Sequence, residues 1–277
     1  MSDSEQELNI KIFEKTYAFL LEILPDGVTR EFLEEQYFIG DQNIFKKRDA
    51  SLKDVFDRLI FSAQNYNIYP NVIKYIKRKD EIREILFDFD IEKIARMDDE
   101  EILQMFYNAY GRKIESSHNT WRRWCTSITT AAQYLQRFSS VADFVEMVRL
   151  CSKTVDDRIR IAKQIGNEIH GLGFATVCDA LKELGFVDYA FPSKYVIEVF
   201  EEVGLLKTVR QTELKKQEAY FAAVTKMTEY CKSKHPELTV YKVDKVFSLI
   251  CTGYFYHHMD ASPKEGYKKE LITILNN

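Results

Sequence analysis

Two glycines two positions apart, Gly171 and Gly173, carry the clearest chemical signal in this chain of 277 residues. They separate two segments of helical periodicity, 155–168 and 174–184. Because glycine permits positive φ, the spacing predicts a tight turn between two helices. We expect bare turn N–H groups at the N-terminus of the second helix, an arrangement that favours an anion. The expected anion is a nucleic-acid phosphate, bound without reading its base.

The hairpin sequence, Ile169-His170-Gly171-Leu172-Gly173, is followed in order by 191–196 (FPSKYV) and by Val203-Gly204-Leu205. This order resembles the helix-hairpin-helix DNA glycosylase superfamily, in which a Pro-x-Asp-x-His segment opens the helix after the hairpin. Upstream, residues 89–102 and 140–144 look like segments of 3-methyladenine DNA glycosylase I. The resemblance covers residues 85–205, and it implies two helical lobes around a cleft that receives a flipped base.

DNA contacts are predicted at the hairpin and on the helix before it: His170, Gly171, Gly173, Phe174 and Lys163. A monovalent cation at the hairpin is a further expected partner. No cofactor and no metal are expected, because the five cysteines are scattered without ligand spacing. The nearest approach to a ligand cluster is His257-His258 beside Asp260, and adjacent histidines on a helix point in different directions.

The catalytic positions implied by the resemblance hold residues that lack the family's chemistry. Breaking an N-glycosidic bond needs a carboxylate that stabilises an oxocarbenium-like transition state, or a lysine that attacks the sugar. Here the aspartate position holds Ser193 and the lysine position holds Ala175. Three alternatives stay open: Asp188 supplies the carboxylate, the substrate is an alkylated base that needs less help, or the fold has lost the chemistry. Lys194 is a further candidate, either an amine nucleophile or a solvated lysine.

Trp121 and Trp124 lie on one face of a predicted helix, beside Arg122 and Arg123. One interpretation makes the two rings the wall of a pocket for a flipped base, with the arginines clamping a phosphate. The other interpretation, which we favour, makes them a core pair, because large aromatic side chains usually belong to cores.

The composition is that of an ordinary globular protein, with 45% hydrophobic and 30% charged residues. The cysteines predict free, mostly buried thiols in a reducing compartment. No apolar run is long enough to cross a bilayer and the acidic N-terminus is unlike a signal peptide, so we expect a cytoplasmic protein.

The formal net charge is −4, but basic residues gather from Arg112 onward, which favours a local phosphate-binding surface. Three acids, Glu168, Asp179 and Asp244, are predicted to be solvated.

Helical periodicity runs through nearly the whole chain, and its 10 Gly and 5 Pro argue against a turn-rich β fold. Four residues are predicted helix caps: Thr29, Ser51, Asp98 and Ser193. The predicted fold is all-α, a two-lobed helical bundle of the helix-hairpin-helix glycosylase type. Residues 1–85 are an N-terminal helical extension and 86–277 the body, with the hairpin at 169–173 and the helices of 206–277 completing the second lobe. Only 238–243 alternates like a strand.

The leading functional hypothesis is a DNA-binding helix-hairpin-helix protein that excises alkylated or damaged bases as a monofunctional glycosylase. Its partner is DNA, bound at the phosphate backbone and at a flipped damaged base, and no membrane contact is expected. The alternative is a non-catalytic DNA- or protein-binding module on the same fold. A third hypothesis is an all-α scaffold in which the hairpin only connects two helices.

Overall fold

The computed structural model describes residues 3–38, 43–64, 72–207, 211–253, 255 and 266–277. Every regular element in those ranges is helical, which confirms the all-α prediction. The contacts divide the chain into two compact units. We call Gln42–Leu184 the hairpin unit, and Met1–Asp41 with Gly185–Asn277 the terminal unit.

The hairpin unit is built around one long helix, α7. Its helices are α3 (Leu52–Ala63), α4 (Tyr75–Ile85), α5 (Ile91–Ile94), α6 (Asp99–Tyr110), α7 (His118–Leu135), α8 (Val141–Leu150), α9 (Val155–Glu168) and α10 (Phe174–Glu183). A 3₁₀ segment, Gly111–Ser117, joins α6 to α7. Helix α7 packs against α3, α5, α6 and α9, and α10 packs against α9 and α3. The two helices of the hairpin are therefore both held by the body of this unit.

The terminal unit joins the beginning of the chain to its end. Its helices are α1 (Asp3–Glu22), α2 (Arg30–Phe32), α11 (Lys194–Glu202), α12 (Glu213–Cys231), α13 (Val240–Thr252) and α14 (Lys268–Asn276). A π-helical turn, Leu33–Tyr37, follows α2. Helix α1 packs against α12, α13 and α14, and its Leu20 is fully buried. Helix α13 is buried on most of its circumference, which makes it the centre of this unit's core.

The predicted capping residues stand at the starts of helices. Thr29 and Asp98 each accept a hydrogen bond from a backbone N–H of the first turn, at 3.2 and 2.8 Å. Ser51 precedes α3 and donates its own N–H to the Asp54 carboxylate at 2.8 Å. Ser193 occupies the N-cap position of α11, but its side chain makes no capping hydrogen bond.

Residues 238–243 and residues 1–85 can be compared with their predicted organisation. The alternation at 238–243 gives no strand, because Val240 begins α13. The predicted extension, residues 1–85, contributes to both units, and its boundary coincides with the end of α4 inside the hairpin unit. Within the ranges described above, no helix is long and apolar enough to span a membrane.

Candidate nucleic-acid interface at the hairpin

The turn between α9 and α10 uses its two glycines in different ways. Gly171 has φ +77°, in the left-handed region that favours glycine. Gly173 has φ −105° and ψ 176°, an extended conformation that any residue can adopt, and it is the N-cap of α10. The tight turn is thus confirmed at 169–173, but positive φ is needed at Gly171 alone.

A third glycine, Gly166, lets α9 approach the hairpin closely. A Cβ on Gly166 would lie 3.2 Å from the carbonyl oxygen of Leu172 and 3.4 Å from the carbonyl carbon of Gly173. Both neighbours are backbone atoms, which can yield only if the hairpin itself moves. The sequence analysis missed this residue, although a glycine inside a helical pattern is a signal of close packing.

Helix α7 supports the hairpin with two hydroxyl groups. The Thr130 hydroxyl accepts a hydrogen bond from the His170 N–H at 3.0 Å. Ser127 is buried, and its Oγ would lie 2.7 Å from a Cβ on Gly171. These contacts fix the turn from behind and leave no room for a side chain at Gly171.

Some of the hairpin N–H groups have hydrogen-bond acceptors and others do not. Gly173 donates its N–H to the Thr176 hydroxyl at 2.7 Å, so the expectation of a bare amide at Gly173 was wrong. The N–H groups of Gly171 and Ala175 have no acceptor within the part of the chain that the structure describes. These two donors, with the positive end of the α10 dipole, favour an anion near this end of the hairpin.

The other predicted DNA-contact residues differ in how much of the side chain is exposed. His170 is exposed, and Lys163 on α9 is half-buried. The side chain of Phe174 is buried, with 5% of its surface exposed. Phe174 can therefore contribute to binding only through its backbone at the start of α10.

Trp121 and Trp124 belong to the core of the hairpin unit. Both side chains have no exposed surface, and their ring centroids are 5.8 Å apart. The Trp124 indole donates its N–H to the carbonyl of Ile60 at 2.9 Å, and Phe106 packs on both rings. A fully buried ring has no face open to a flipped base. The structure therefore corrects the base-pocket interpretation in favour of the core pair.

The proline segment, residues 191–195 of the terminal unit, includes Ser193, the position that the resemblance matches to the family's catalytic aspartate. Asp188, just before the segment, and Lys194 within it are both exposed. The Lys194 ammonium lies 4.9 Å from the ring centroid of Tyr195. The Ser193 hydroxyl is buried and has no hydrogen-bond partner among the described residues. The segment thus presents one amine to solvent, and the nearest exposed carboxylate, Asp188, lies three residues before it.

The proline segment is anchored by Asp244, a residue that the sequence analysis placed in solvent. That prediction was wrong, because Asp244 on α13 has no exposed surface. Its carboxylate accepts hydrogen bonds from the Phe191 N–H at 3.1 Å and from the Tyr220 hydroxyl at 2.8 Å. Burial and the adjacent Asp244 carboxylate raise the pKa of Tyr220 well above its ordinary value, which keeps this hydroxyl a donor.

The two acids that flank the hairpin are paired and are not simply solvated. Asp179 on α10 accepts a hydrogen bond from the buried Arg58 of α3 at 2.6 Å. Lys182, also buried, lies 3.6 Å from the same carboxylate. Glu168, at the end of α9, pairs with Arg137. Since unpaired buried charges are costly, the Arg58 pair fixes the second hairpin helix to α3.

All five cysteines are free thiols, as predicted. Four of them are buried, and Cys151 is half-buried. Burial raises the pKa of both Cys231 and Cys251 to about 12, so these two remain protonated near neutral pH. In the described ranges no three His, Cys, Asp or Glu side chains are grouped so as to hold a metal. His257, His258 and Asp260 lie outside those ranges.

The chain is similar to a solved structure of a DNA repair enzyme. This is the Methanocaldococcus jannaschii 8-oxoguanine glycosylase/lyase in complex with a 15mer DNA containing 8-oxoguanine. The TM-score is 0.53 at 13% sequence identity, and the match covers 86% of this chain and 96% of that chain. No family model and no curated protein matches the sequence. At this identity the similarity concerns the fold, and it confirms the predicted helix-hairpin-helix glycosylase fold. The resemblance to 3-methyladenine DNA glycosylase I stays a prediction.

Proposed function

We propose that this chain is a DNA-repair protein that binds duplex DNA through a phosphate held at the hairpin. The observation that carries the proposal is the pair of unsatisfied N–H groups, Gly171 and Ala175, on a turn that three helices hold in place. An anion that accepts from two preoriented amides needs no side-chain rearrangement. The solved structure with the similar fold was obtained with bound DNA, which supports the same partner here.

The monovalent cation expected at the hairpin belongs to this proposal. The carbonyl oxygen of Ile169 accepts one hydrogen bond, at 3.2 Å, whereas that of Gly173 accepts two, from the Val177 N–H at 3.0 Å and the Thr176 hydroxyl at 2.9 Å. A carbonyl oxygen has two lone pairs, so the Ile169 oxygen keeps one that a weakly held cation could use. Such a cation would add positive charge beside the phosphate.

The test is binding of a fluorescein-labelled duplex, measured by fluorescence anisotropy at several salt concentrations. We expect affinity that falls steeply with salt, because each phosphate contact contributes about −0.9 to the log–log slope. Duplexes of different sequence should bind alike, since phosphate contacts do not read bases. The absence of duplex binding at low salt would refute the proposal.

A second candidate function is hydrolytic removal of a damaged base, with Asp188 as the carboxylate. The observation in its favour is that Asp188 is exposed three residues before Phe191, whose N–H is anchored by Asp244. With Ala175 at the position of the family's lysine, no Schiff base should form, and borohydride should trap no adduct on damaged DNA. Release of an alkylated base by the wild type, abolished in Asp188→Asn, would support this function. If neither protein releases a base but both bind duplex DNA, the non-catalytic DNA-binding module is favoured over the glycosylase.

A further inference from the structure

The face of α7 that supports the hairpin continues past it to Arg123. Residues 123, 127, 130 and 134 recur at intervals of three and four, so they share one helix face. The contacts along this face follow the hairpin chain in order. Arg137, just beyond α7, pairs with Glu168; Thr130 binds the His170 N–H; Ser127 lies against Gly171. Arg123 is the next position of this face, one turn beyond Ser127.

The Arg123 backbone is connected to the turn through the side chain of Ser127. Its carbonyl oxygen accepts a hydrogen bond from the Ser127 hydroxyl at 3.1 Å. The same hydroxyl oxygen would lie 2.7 Å from a Cβ on Gly171. Phosphates follow one another every ~3.4 Å of helix axis along a DNA strand. The Arg123 side chain starts one helix turn from Ser127, and an extended cationic side chain there can reach toward the phosphate next to the one at the hairpin.

Arg123 differs from the arginines around it in having no partner. It is exposed, and in the described part of the chain no carboxylate pairs with its guanidinium and no aromatic ring lies beneath it. Its sequence neighbour Arg122 pairs with Glu100 at 2.6 Å, and Arg160 on α9 pairs with Asp157. The charge of Arg123 is not neutralised by the protein and is available to an anion from outside.

We propose that Arg123 binds the DNA phosphate adjacent to the one held at the hairpin. This inference rests on the proposed function, because it takes a hairpin-bound phosphate as given. A guanidinium can bind a phosphate through two parallel N–H donors and adds a full positive charge, which the neutral backbone amides lack. The hairpin amides and Arg123 together define a two-phosphate site along one strand, and that site fixes the direction in which the strand crosses α7.

The experiment compares two adjacent arginines whose loss changes the net charge equally. Duplex affinity is measured by anisotropy at several salt concentrations for the wild type, Arg123→Gln, Arg123→Lys and Arg122→Gln. Arg123→Gln should weaken binding uniformly across sequences and reduce the salt slope by about 0.9. Arg123→Lys keeps the charge and should keep the slope. Arg122→Gln should leave the slope unchanged, because Glu100 already neutralises that arginine.

The outcomes separate this inference from the proposed function. If the wild type binds duplex DNA and Arg123→Gln has the wild-type slope, the role of Arg123 is refuted while the hairpin proposal stands. Equal losses in Arg122→Gln and Arg123→Gln would show a general charge effect and would also refute it. If the wild type does not bind, both proposals fail. Circular dichroism checks each fold, and Arg123→Met is a second charge-removing variant should Arg123→Gln unfold.

Discussion

The hairpin and the proline segment are two short turns, each fixed by polar groups from another helix, and the groups differ in chemistry. Neutral hydroxyls of α7, Ser127 and Thr130, lie behind the hairpin, whereas the buried carboxylate of Asp244 holds the proline segment. The hairpin offers its own backbone N–H groups, so the proposed phosphate binding requires a fixed turn with glycine at position 171. In the glycosylases the proline segment works through a side chain. This chain anchors the segment through Asp244 and has Ser193 at the position that the resemblance assigns to the catalytic aspartate.

The largest effect on stability is expected from removal of the carboxylate anchor. Asp244→Ala leaves the Phe191 N–H and the Tyr220 hydroxyl without their buried acceptor, at ~1–3 kcal/mol each, or about 4 kcal/mol in total. Asp244→Asn keeps one acceptor oxygen and should cost less. Urea unfolding of the three proteins measures the difference. A stability of Asp244→Ala within about 1 kcal/mol of wild type would contradict an anchoring role.

A smaller loss of stability is expected when a side chain is introduced at Gly171 in the hairpin turn. Gly171→Ala forces a Cβ into positive φ, at ~1–2 kcal/mol, and places it against the Ser127 hydroxyl, for about 3 kcal/mol in total. Ser127→Ala removes that hydroxyl, so the double variant should recover the steric part and retain only the backbone penalty. The measurement is a double-mutant cycle by urea unfolding. Strictly additive losses would mean that the contact with Ser127 is not what excludes a side chain at Gly171.

Helix bounds and turns that depend on residues close to them in the sequence were predictable. The bounds predicted for α9, 155–168, are those observed. The reason is that Thr154 caps this helix, accepting a hydrogen bond from the Asp157 N–H at 3.1 Å. The turn at 169–173 was predictable for the same reason, because the conformational freedom of glycine is a property of the residue itself.

Features that depend on distant contacts were not predictable. Asp244 lies among charged residues in the sequence, with Lys242 and Lys245 beside it, a pattern typical of a solvated helix face. The overlooked signal was Tyr241 and Phe247, three positions to either side, which share its helix face and are buried. At the candidate site, the conformation of Gly173 and the need for Gly166 follow from the packing of α9 against the hairpin. The only local signal of that packing was Gly166 itself, a glycine inside a helical pattern.

The most direct test of phosphate binding at the hairpin compares Gly173→Asp with Gly173→Asn. Gly173 is an extended N-cap with open space at its Cβ position, and Asp and Asn are both preferred there, so both variants should fold with stability close to wild type. Only the aspartate brings a negative charge to the anion surface, where repulsion of ~1–4 kcal/mol is expected. Both new side chains can accept the Ala175 N–H, so both variants should lose affinity, and the duplex affinity of Gly173→Asp, measured by anisotropy, should lie about tenfold or more below that of Gly173→Asn. Equal duplex affinities for the wild type and both folded variants would contradict the account, and the hairpin would then be only a connector between α9 and α10.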